Sequence, residues 1–307
     1  MGNNSTVEAW VFIAVAAAAF QTLRFMLQKK LSMGALSTGG ATFSRFFYSL
    51  PIILTLATLY LVWRGEALPE FTGLFWLYAL SGGLTQVLAT WCMVTLFQQR
   101  NFAVGITFKK TEVLQTALVG VLVLGDTISI AGLFAISIGL IGVFVLAQKP
   151  NKIEGSWLSN LLNRGAGLGL LSGVFFAVSA VGYRGATLEI ASDDVLLRSS
   201  VSLAVVTLCQ TVGMGFWLAW REKGEISQVI SGYRTAVWIG VSGMAGSLCW
   251  FTAFTLQNAA YVFAVGQIEV IFSLAASVLF FNESIAKKEL AGIALITLSI
   301  LFLVGVA

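Results

Sequence analysis

Apolar stretches of about 20 residues follow one another along this chain with only short polar breaks between them. Hydrocarbon offers no water to backbone N–H and C=O groups, so only helices and closed barrels can cross a bilayer. Runs of this length with short polar breaks read as the spans of a polytopic helical membrane protein. Helices are the consequence. The chain is 58% hydrophobic and 10% charged, with a mean hydropathy of +0.89, far from the composition of a soluble domain. The pattern predicts an all-α integral membrane protein with ten transmembrane helices, near residues 7–29, 37–63, 73–97, 101–124, 128–147, 165–189, 195–220, 235–257, 259–281 and 286–306. No segment outside these spans is long enough for a soluble domain. Met1–Glu8 is too short and too polar to be the charged start of a cleavable signal peptide, so the first span is expected to be retained.

The net charge of +4 follows topology. Lys29, Lys30, Arg100, Lys149, Lys152, Arg164, Arg221, Lys223, Arg234, Lys287 and Lys288 flank the odd-numbered connections, while Arg64 alone flanks an even-numbered one. By the positive-inside rule the odd connections are cytoplasmic and both termini lie outside. No basic stripe with interleaved aromatics is present to follow a phosphate backbone, so no nucleic-acid partner is expected. The expected partners are the lipid bilayer and a small-molecule solute, with the chain a monomer or homodimer. Cys92, Cys209 and Cys249 lie within spans and are odd in number, which indicates no disulfide framework. Histidine is absent, removing the commonest general base and most zinc and haem ligand sets. No metal or other cofactor is expected.

Two glutamates lie within apolar spans in near-equivalent contexts. Glu112, in Asn101-Phe-Ala-Val-Gly-Ile-Thr-Phe-Lys109-Lys110-Thr111-Glu112, aligns without a gap on Glu269, in Asn258-Ala-Ala-Tyr-Val-Phe-Ala-Val-Gly-Gln267-Ile-Glu269, at an offset of 157. The same offset brings Asp126 of Gly125-Asp126 onto Glu283 of Asn282-Glu283. A charge near the middle of a span costs about 2.5–3.5 kcal/mol on insertion scales and usually faces a cavity or a partner. Other matches follow at nearby offsets: Arg24 with Arg184 at 160, Arg45 with Arg198 at 153, and Ser81-Gly82 with Ser242-Gly243 at 161. Lys149-Pro150-Asn151-Lys152-Ile153-Glu154-Gly155-Ser156 is the longest polar interruption. The chain therefore divides into a five-helix repeat at 1–148, a polar linker at 149–163 and a second five-helix repeat at 164–307. Because five is odd, the second repeat enters from the opposite side, giving inverted repeats with a site expected near the midplane.

Ten spans in two inverted five-helix repeats, with an acidic residue after Gly125 and after Asn282 closing the fourth and ninth spans, resemble the drug/metabolite transporter superfamily. Within it the chain is similar to the EamA (RhaT-like) permeases along essentially its whole length. The resemblance implies a bacterial inner-membrane transporter that works by alternating access. Its central cavity would be lined by spans one to four and six to nine, with the fifth and tenth peripheral. Two features depart from the family pattern. Many members place a proline midway along the fourth and ninth spans, where this chain has Lys110-Thr111-Glu112 and Gln267-Ile268-Glu269. Members usually have cytoplasmic termini, against the Lys/Arg distribution here, so the sidedness stays open.

Helical spacing gathers the candidate substrate-binding residues into stripes. Gln21, Arg24 and Gln28 share one face of the first span, and Arg45, Tyr48 and Ser49 one face of the second. The fourth span carries Lys109, Glu112 and Thr116 together, with Lys110 and Thr111 turned away. The ninth carries Glu269, Ser273 and Ser277, with Gln267 just before them. Thr85, Gln86, Ser247, Trp91 and Trp250 come from the third and eighth spans, and Arg184 and Arg198 from the sixth and seventh. Each has a plainer reading. Glu112 can be a structural ion pair with Lys109, Arg45 or Arg24. Lys29 and Lys30 read as snorkelling ends, and Trp10, Trp63, Trp157 and Trp220 as interfacial anchors. Asp126 and Glu283 read as helix caps or loop holders, Trp91 and Trp250 as either packing or lining, and the Gly165, Gly169, Gly173 ridge as a close helix contact.

No phosphate-binding glycine loop, nucleophile elbow or metal-ligand cluster is present, so an enzyme is not expected. Six basic residues within spans (Arg24, Arg45, Lys109, Lys110, Arg184, Arg198) against two glutamates favour a small polar solute bearing a carboxylate or phosphate, such as an amino acid or organic acid. An exporter of amphipathic cations or drugs centred on Glu112 and Glu269 is the alternative. Both glutamates are candidates for proton coupling. Glu112 has Lys109 one turn away and Glu269 has no base on its own helix, so Glu269 is expected to be the protonatable member. Arg24 is the preferred ligand, with Arg184 as its gating or ion-pairing counterpart near the axis of the two repeats.

Overall fold

The computed structural model describes residues 3–32, 34, 36–99, 109–147, 164–281 and 287–306. Every regular element among these is a helix. In chain order they are α1 (Asn3–Ser32), α2 (Thr38–Arg64), α3 (Gly73–Gln99), α4 (Glu112–Leu124), α5 (Ile130–Ala147), α6 (Arg164–Leu188), α7 (Val195–Arg221), α8 (Glu225–Ser231), α9 (Tyr233–Leu256), α10 (Ala259–Val265), α11 (Ile268–Phe281) and α12 (Lys287–Val306). Among the described residues seven segments are long and apolar enough to cross a membrane: five within α1, α2, α3, α6 and α7, a sixth in α9, and a seventh running through α10 and α11 over Ala259–Ala276. The apolar helices α4, α5 and α12 are shorter. Asn101, Trp157, Asn282, Glu283 and the linker 149–163 lie outside the described residues.

Two elements differ from the sequence expectation. The ninth span is not one helix but two, broken at Gly266-Gln267. The connection after the seventh span folds into the short helix α8, which carries too few apolar residues to show as a span. Trp10, read as an interfacial anchor, is buried in the main apolar core instead, whereas Trp63 and Trp220 are exposed as anchors would be.

Helices of the two halves pack on one another in an exchanged pattern. α1 lies along α9 and α3 along α6, while α2 meets α7 and α5 meets α12. The last two pairs run antiparallel. Ser299 Oγ donates to the Ala135 carbonyl at 2.6 Å, and further along α5 Gly142 faces Gly292 and Leu295 at the earlier part of α12. Ser37, the N-cap of α2, donates through its hydroxyl to Glu222 at the end of α7 (2.5 Å). At the other end of α2, Tyr60 donates to Asp194, the N-cap of α7, at 2.8 Å, and Arg64 lies 3.1 Å from the same carboxylate.

Small residues let these helices approach. A Cβ on Gly182 would sit 2.9 Å from the Tyr78 carbonyl and 3.0 Å from the Gly82 Cα, so α3 and α6 cross backbone to backbone there, as small-residue contacts in membranes allow. Ends are closed by ordinary caps. Asp194 accepts from the N–H groups of Leu196 and Leu197. Gly125 ends α4 in the left-handed region at φ 66°, where a side chain would be strained.

Candidate functional site

Both glutamates sit in the first turn of a helix that begins partway along an apolar run. α4 starts at Glu112, after Thr111, which makes no side-chain cap, and α11 starts at Ile268. First-turn N–H groups have no intrahelical acceptor and carry the positive end of the helix dipole, so a carboxylate is stabilised there. The break before α11 is made without proline. Gln267, Glu269 and Val270 donate to the carbonyls of Ala264, Gly266 and Gln267 at 3.2, 3.1 and 3.0 Å, a run of three-residue bonds that tightens the turn. Lys110 Nζ supplies a further donor to the Gly266 carbonyl at 2.9 Å.

The four charged side chains meet. Lys109 Nζ is 3.3 Å from Glu112 Oε1 and 3.1 Å from Glu269 Oε2. Lys110 Nζ is 3.7 Å from Glu112 Oε1 and 2.6 Å from Glu269 Oε2. All four are buried. Gln21 Nε2 donates to Glu269 Oε2 at 3.1 Å, and Trp250 Nε1 donates to Gln21 Oε1 at 3.1 Å. Lys109 also lies over the Phe176 ring at 4.8 Å. Glu269 has no base on its own helix, as the sequence indicates, yet it is not without one. Both lysines reach it from the other half of the chain and approach it more closely than they approach Glu112. Neither oxygen of Glu112, nor Glu269 Oε1, accepts a hydrogen bond.

Arg24 and Arg45 stand beside this cluster. Their stems pack on Gly243 of α9, where a Cβ would be 3.0 Å from Arg45 Cγ and 3.2 Å from Arg24 Cδ. Arg24 Nη1 donates to Gln28 Oε1 at 2.6 Å, Gln28 Nε2 donates to the Ala41 carbonyl at 3.1 Å, and Arg24 Nη2 has no acceptor. Arg45 donates to Thr90 Oγ1 at 3.1 Å and Ser247 Oγ at 3.0 Å. With the Gln86 amide oxygen turned to Arg45, Gln86 accepts from both guanidinium nitrogens at 2.9 and 3.1 Å and donates to Ser179 at 2.7 Å; this orientation satisfies more groups than the reverse, in which Ser179 donates to Gln86. Neither arginine forms an ion pair among the described residues. Four basic groups and two carboxylates thus share one buried region, with only the two lysines touching the carboxylates.

Arg184 and Arg198 are elsewhere. Arg184 donates to the carbonyls of Phe254 and Gln257 at 2.6 and 2.8 Å, closing the end of α9, and lies 3.5 Å from Asp126. Arg198 donates to the Thr187 carbonyl at 2.7 Å, closing the end of α6. The matched arginines do not converge on an axis, because α2 and α7 are antiparallel and place Arg45 and Arg198 near opposite ends of the pair. Three further candidates fall outside the cluster. Tyr48 donates to the Val229 carbonyl at 3.0 Å, Trp91 packs edge-on against Trp217, and Gln267 points to Gly139 and Ser299 at the α5–α12 contact.

A cavity of about 20 Å³ adjoins Gln21, Arg45, Gln86, Lys109 and Trp250, room for roughly one water. Its other walls include Phe176, Ser179 and Tyr183 of α6, which the polar stripes overlooked. Their spacing at i, i+3 and i+7 was the available signal, hidden because two of the three are aromatic. A larger space of about 480 Å³ lies between α3 and α7, but its walls are apolar apart from Gln210 and it touches none of the charged cluster. The chemistry points to the smaller one.

Comparison with known proteins bears on the family. Residues 163–305 match the EamA-like transporter family. A crystal structure of a protein shares the fold at a TM-score of 0.68 and 14% identity, covering 96% of each chain. No curated relative matches.

Proposed function

Starting from a chain of the EamA-like transporter family, matched over residues 163–305, and so an integral membrane protein, we propose that it is a secondary transporter of small polar solutes bearing a carboxylate or phosphate. The observation that carries this reading is the buried cluster in which Lys109 and Lys110 of one half hold Glu269 of the other, beside Arg24 and Arg45. An intramembrane cluster this costly marks a solute or ion pathway more often than a scaffold, and arginine offers a fork of donors suited to an oxyanion. Arg24 Nη2, buried with no acceptor, is the donor such a solute would satisfy.

The finer architecture belongs to the same proposal: ten spans in two inverted five-helix repeats, in a bacterial inner membrane. The exchanged packing of α1 with α9 and α3 with α6, and the antiparallel runs of α2 with α7 and α5 with α12, support it. The starts of α4 at Glu112 and of α11 at Ile268, within one residue of each other at the 157-residue offset, agree with the half-helices that line transporter sites. In alternating access, the contacts of Ser37 with Glu222 and of Arg64 with Asp194 would open in turn, since they fasten opposite ends of the α2–α7 pair.

The test is counterflow in proteoliposomes with labelled amino acids, organic acids and sugar phosphates, against a lipophilic cation. Uptake of an anionic or zwitterionic solute supports the proposal. Exchange of the cation alone would replace it with the exporter of amphipathic cations.

A further inference from the structure

The space of about 480 Å³ between α3 and α7 falls in the size range of small-molecule sites. Leu84, Val87, Trp91, Gly213 and Trp217 wall it, and Gln210 is its polar edge. Leu84 is 62% exposed, so the groove faces the lipid side of the spans. Gln210 is shared with a second cavity, of about 10 Å³, whose walls also include Arg45, Tyr183 and Ser247. Those three residues in turn line the cavity beside the ion cluster. Shared walls therefore set three spaces in succession between the lipid-facing surface and Arg45. Where the outer groove meets the inner cavity stands the Gln210 amide, which donates to the Gly83 carbonyl at 2.9 Å and to Tyr183 Oη at 3.1 Å.

We propose that this groove is a lateral portal for an anionic amphiphile, with the hydrocarbon tail between Trp91 and Trp217 and the anionic head at Arg45 once Gln210 swings aside. The occupant follows from charge. The outer space is almost wholly apolar, and the inner end presents a guanidinium bonded only to neutral partners. A tail alone gains nothing from Arg45, and a cation is repelled by it. A small hydrophilic anion has no reason to cross hydrocarbon. The assignment of the head rests on the anion-binding reading above; the assignment of the tail does not.

The experiment uses the protein in phosphatidylcholine nanodiscs with three spin-labelled probes: stearic acid in its ionised form, its methyl ester and stearylamine. The signal is quenching of the fluorescence lost in Trp91→Phe/Trp217→Phe, with Trp217→Phe alone as the milder version. Stearate should quench at concentrations about tenfold lower than the ester or amine, and Arg45→Gln should erase that preference. Gly213→Phe sends a ring into the groove from a position where a Cβ meets nothing within 4 Å, and should abolish stearate quenching while leaving the thermal shift by small anions unchanged. Equal quenching by all three probes, or stearate quenching unaffected by Gly213→Phe, overturns the portal. Stearate selectivity without any response to small anions upholds the portal and overturns the small-solute reading instead.

Discussion

Lys110 and Glu269 meet at 2.6 Å across the two halves of the chain. The same ammonium bonds the Gly266 carbonyl at the break between α10 and α11. One lysine thus joins the charge balance of the cluster to the geometry of the broken helix. No proline lies at this break, and a side chain from the facing half bonds its carbonyl instead.

Removing that lysine should be costly. Taking away one partner of a buried pair typically destabilises by about 3–5 kcal/mol, and Lys110→Met should fall at the low end because Lys109 remains 3.1 Å from Glu269. Lys110→Met/Glu269→Met removes both charges and should recover part of the loss. Thermal unfolding of the two variants beside Glu269→Met completes the cycle. Unchanged stability in Lys110→Met would show that the pair contributes nothing.

Arg24 separates binding from mere packing. Arg24→Lys keeps the charge but loses the fork and the contact with Gln28 seen at 2.6 Å. A charge-assisted hydrogen bond contributes roughly 1.5–3 kcal/mol, so anion affinity should fall about 10- to 150-fold with the folded protein retained. Ligand-induced thermal shifts across Arg24→Lys and Arg24→Ala measure this. Parent-like affinity in both would remove Arg24 from the site, and failure of only the alanine variant to fold would assign it to helix packing.

The glutamates should differ under a proton gradient. Glu269 receives two ammonium groups at 2.6 and 3.1 Å and a bond from Gln21, while Glu112 has the same ammonium groups at 3.3 and 3.7 Å. The less closely held carboxylate is the better proton carrier, so Glu112→Gln should remove pH-gradient-driven uptake and leave solute exchange without a gradient. Glu269→Gln should impair both. Gradient-driven uptake that survives Glu112→Gln would favour an exchanger or uniporter.

The sequence carried the helical class, most element positions and the two glutamates, because periodicity and intramembrane charge are local properties of the chain. It also brought Gln21, Arg24, Arg45, Lys109 and Trp250 into one neighbourhood through helical spacing. What it could not carry were contacts between halves. The bases of Glu269 are Lys109 and Lys110 of the facing half, more than a hundred residues away, so spacing along its own helix could not reveal them. Arg184 and Arg198 looked like equals of Arg24 and Arg45, but whether an arginine meets a cavity or a helix end depends on which end of an antiparallel pair it occupies. The break at Gly266 was hidden for a similar reason, since no proline marks it and its stabilising donor comes from Lys110.

Asp194 offers a test outside the spans. Burial disfavours its charge, but the N–H groups of Leu197 and Leu196, the Tyr60 hydroxyl and the Arg64 guanidinium outweigh that and hold the carboxyl below its ordinary range. A group with a lowered folded-state value contributes stability above the unfolded carboxylate value, about pH 3.9, and loses it as pH falls through the folded one. Asp194→Asn keeps an N-cap but cannot pair with Arg64. It should therefore be less stable than the parent near neutral pH, with the gap closing under acid. Asp194→Ala loses the cap as well and should cost a further 0.5–2 kcal/mol, roughly, at every pH. Thermal unfolding of the three proteins across an acid series measures both effects. A parent-to-Asn gap that stays constant down to about pH 3 would show that the charge of Asp194 does not fasten this end of α2 to α7.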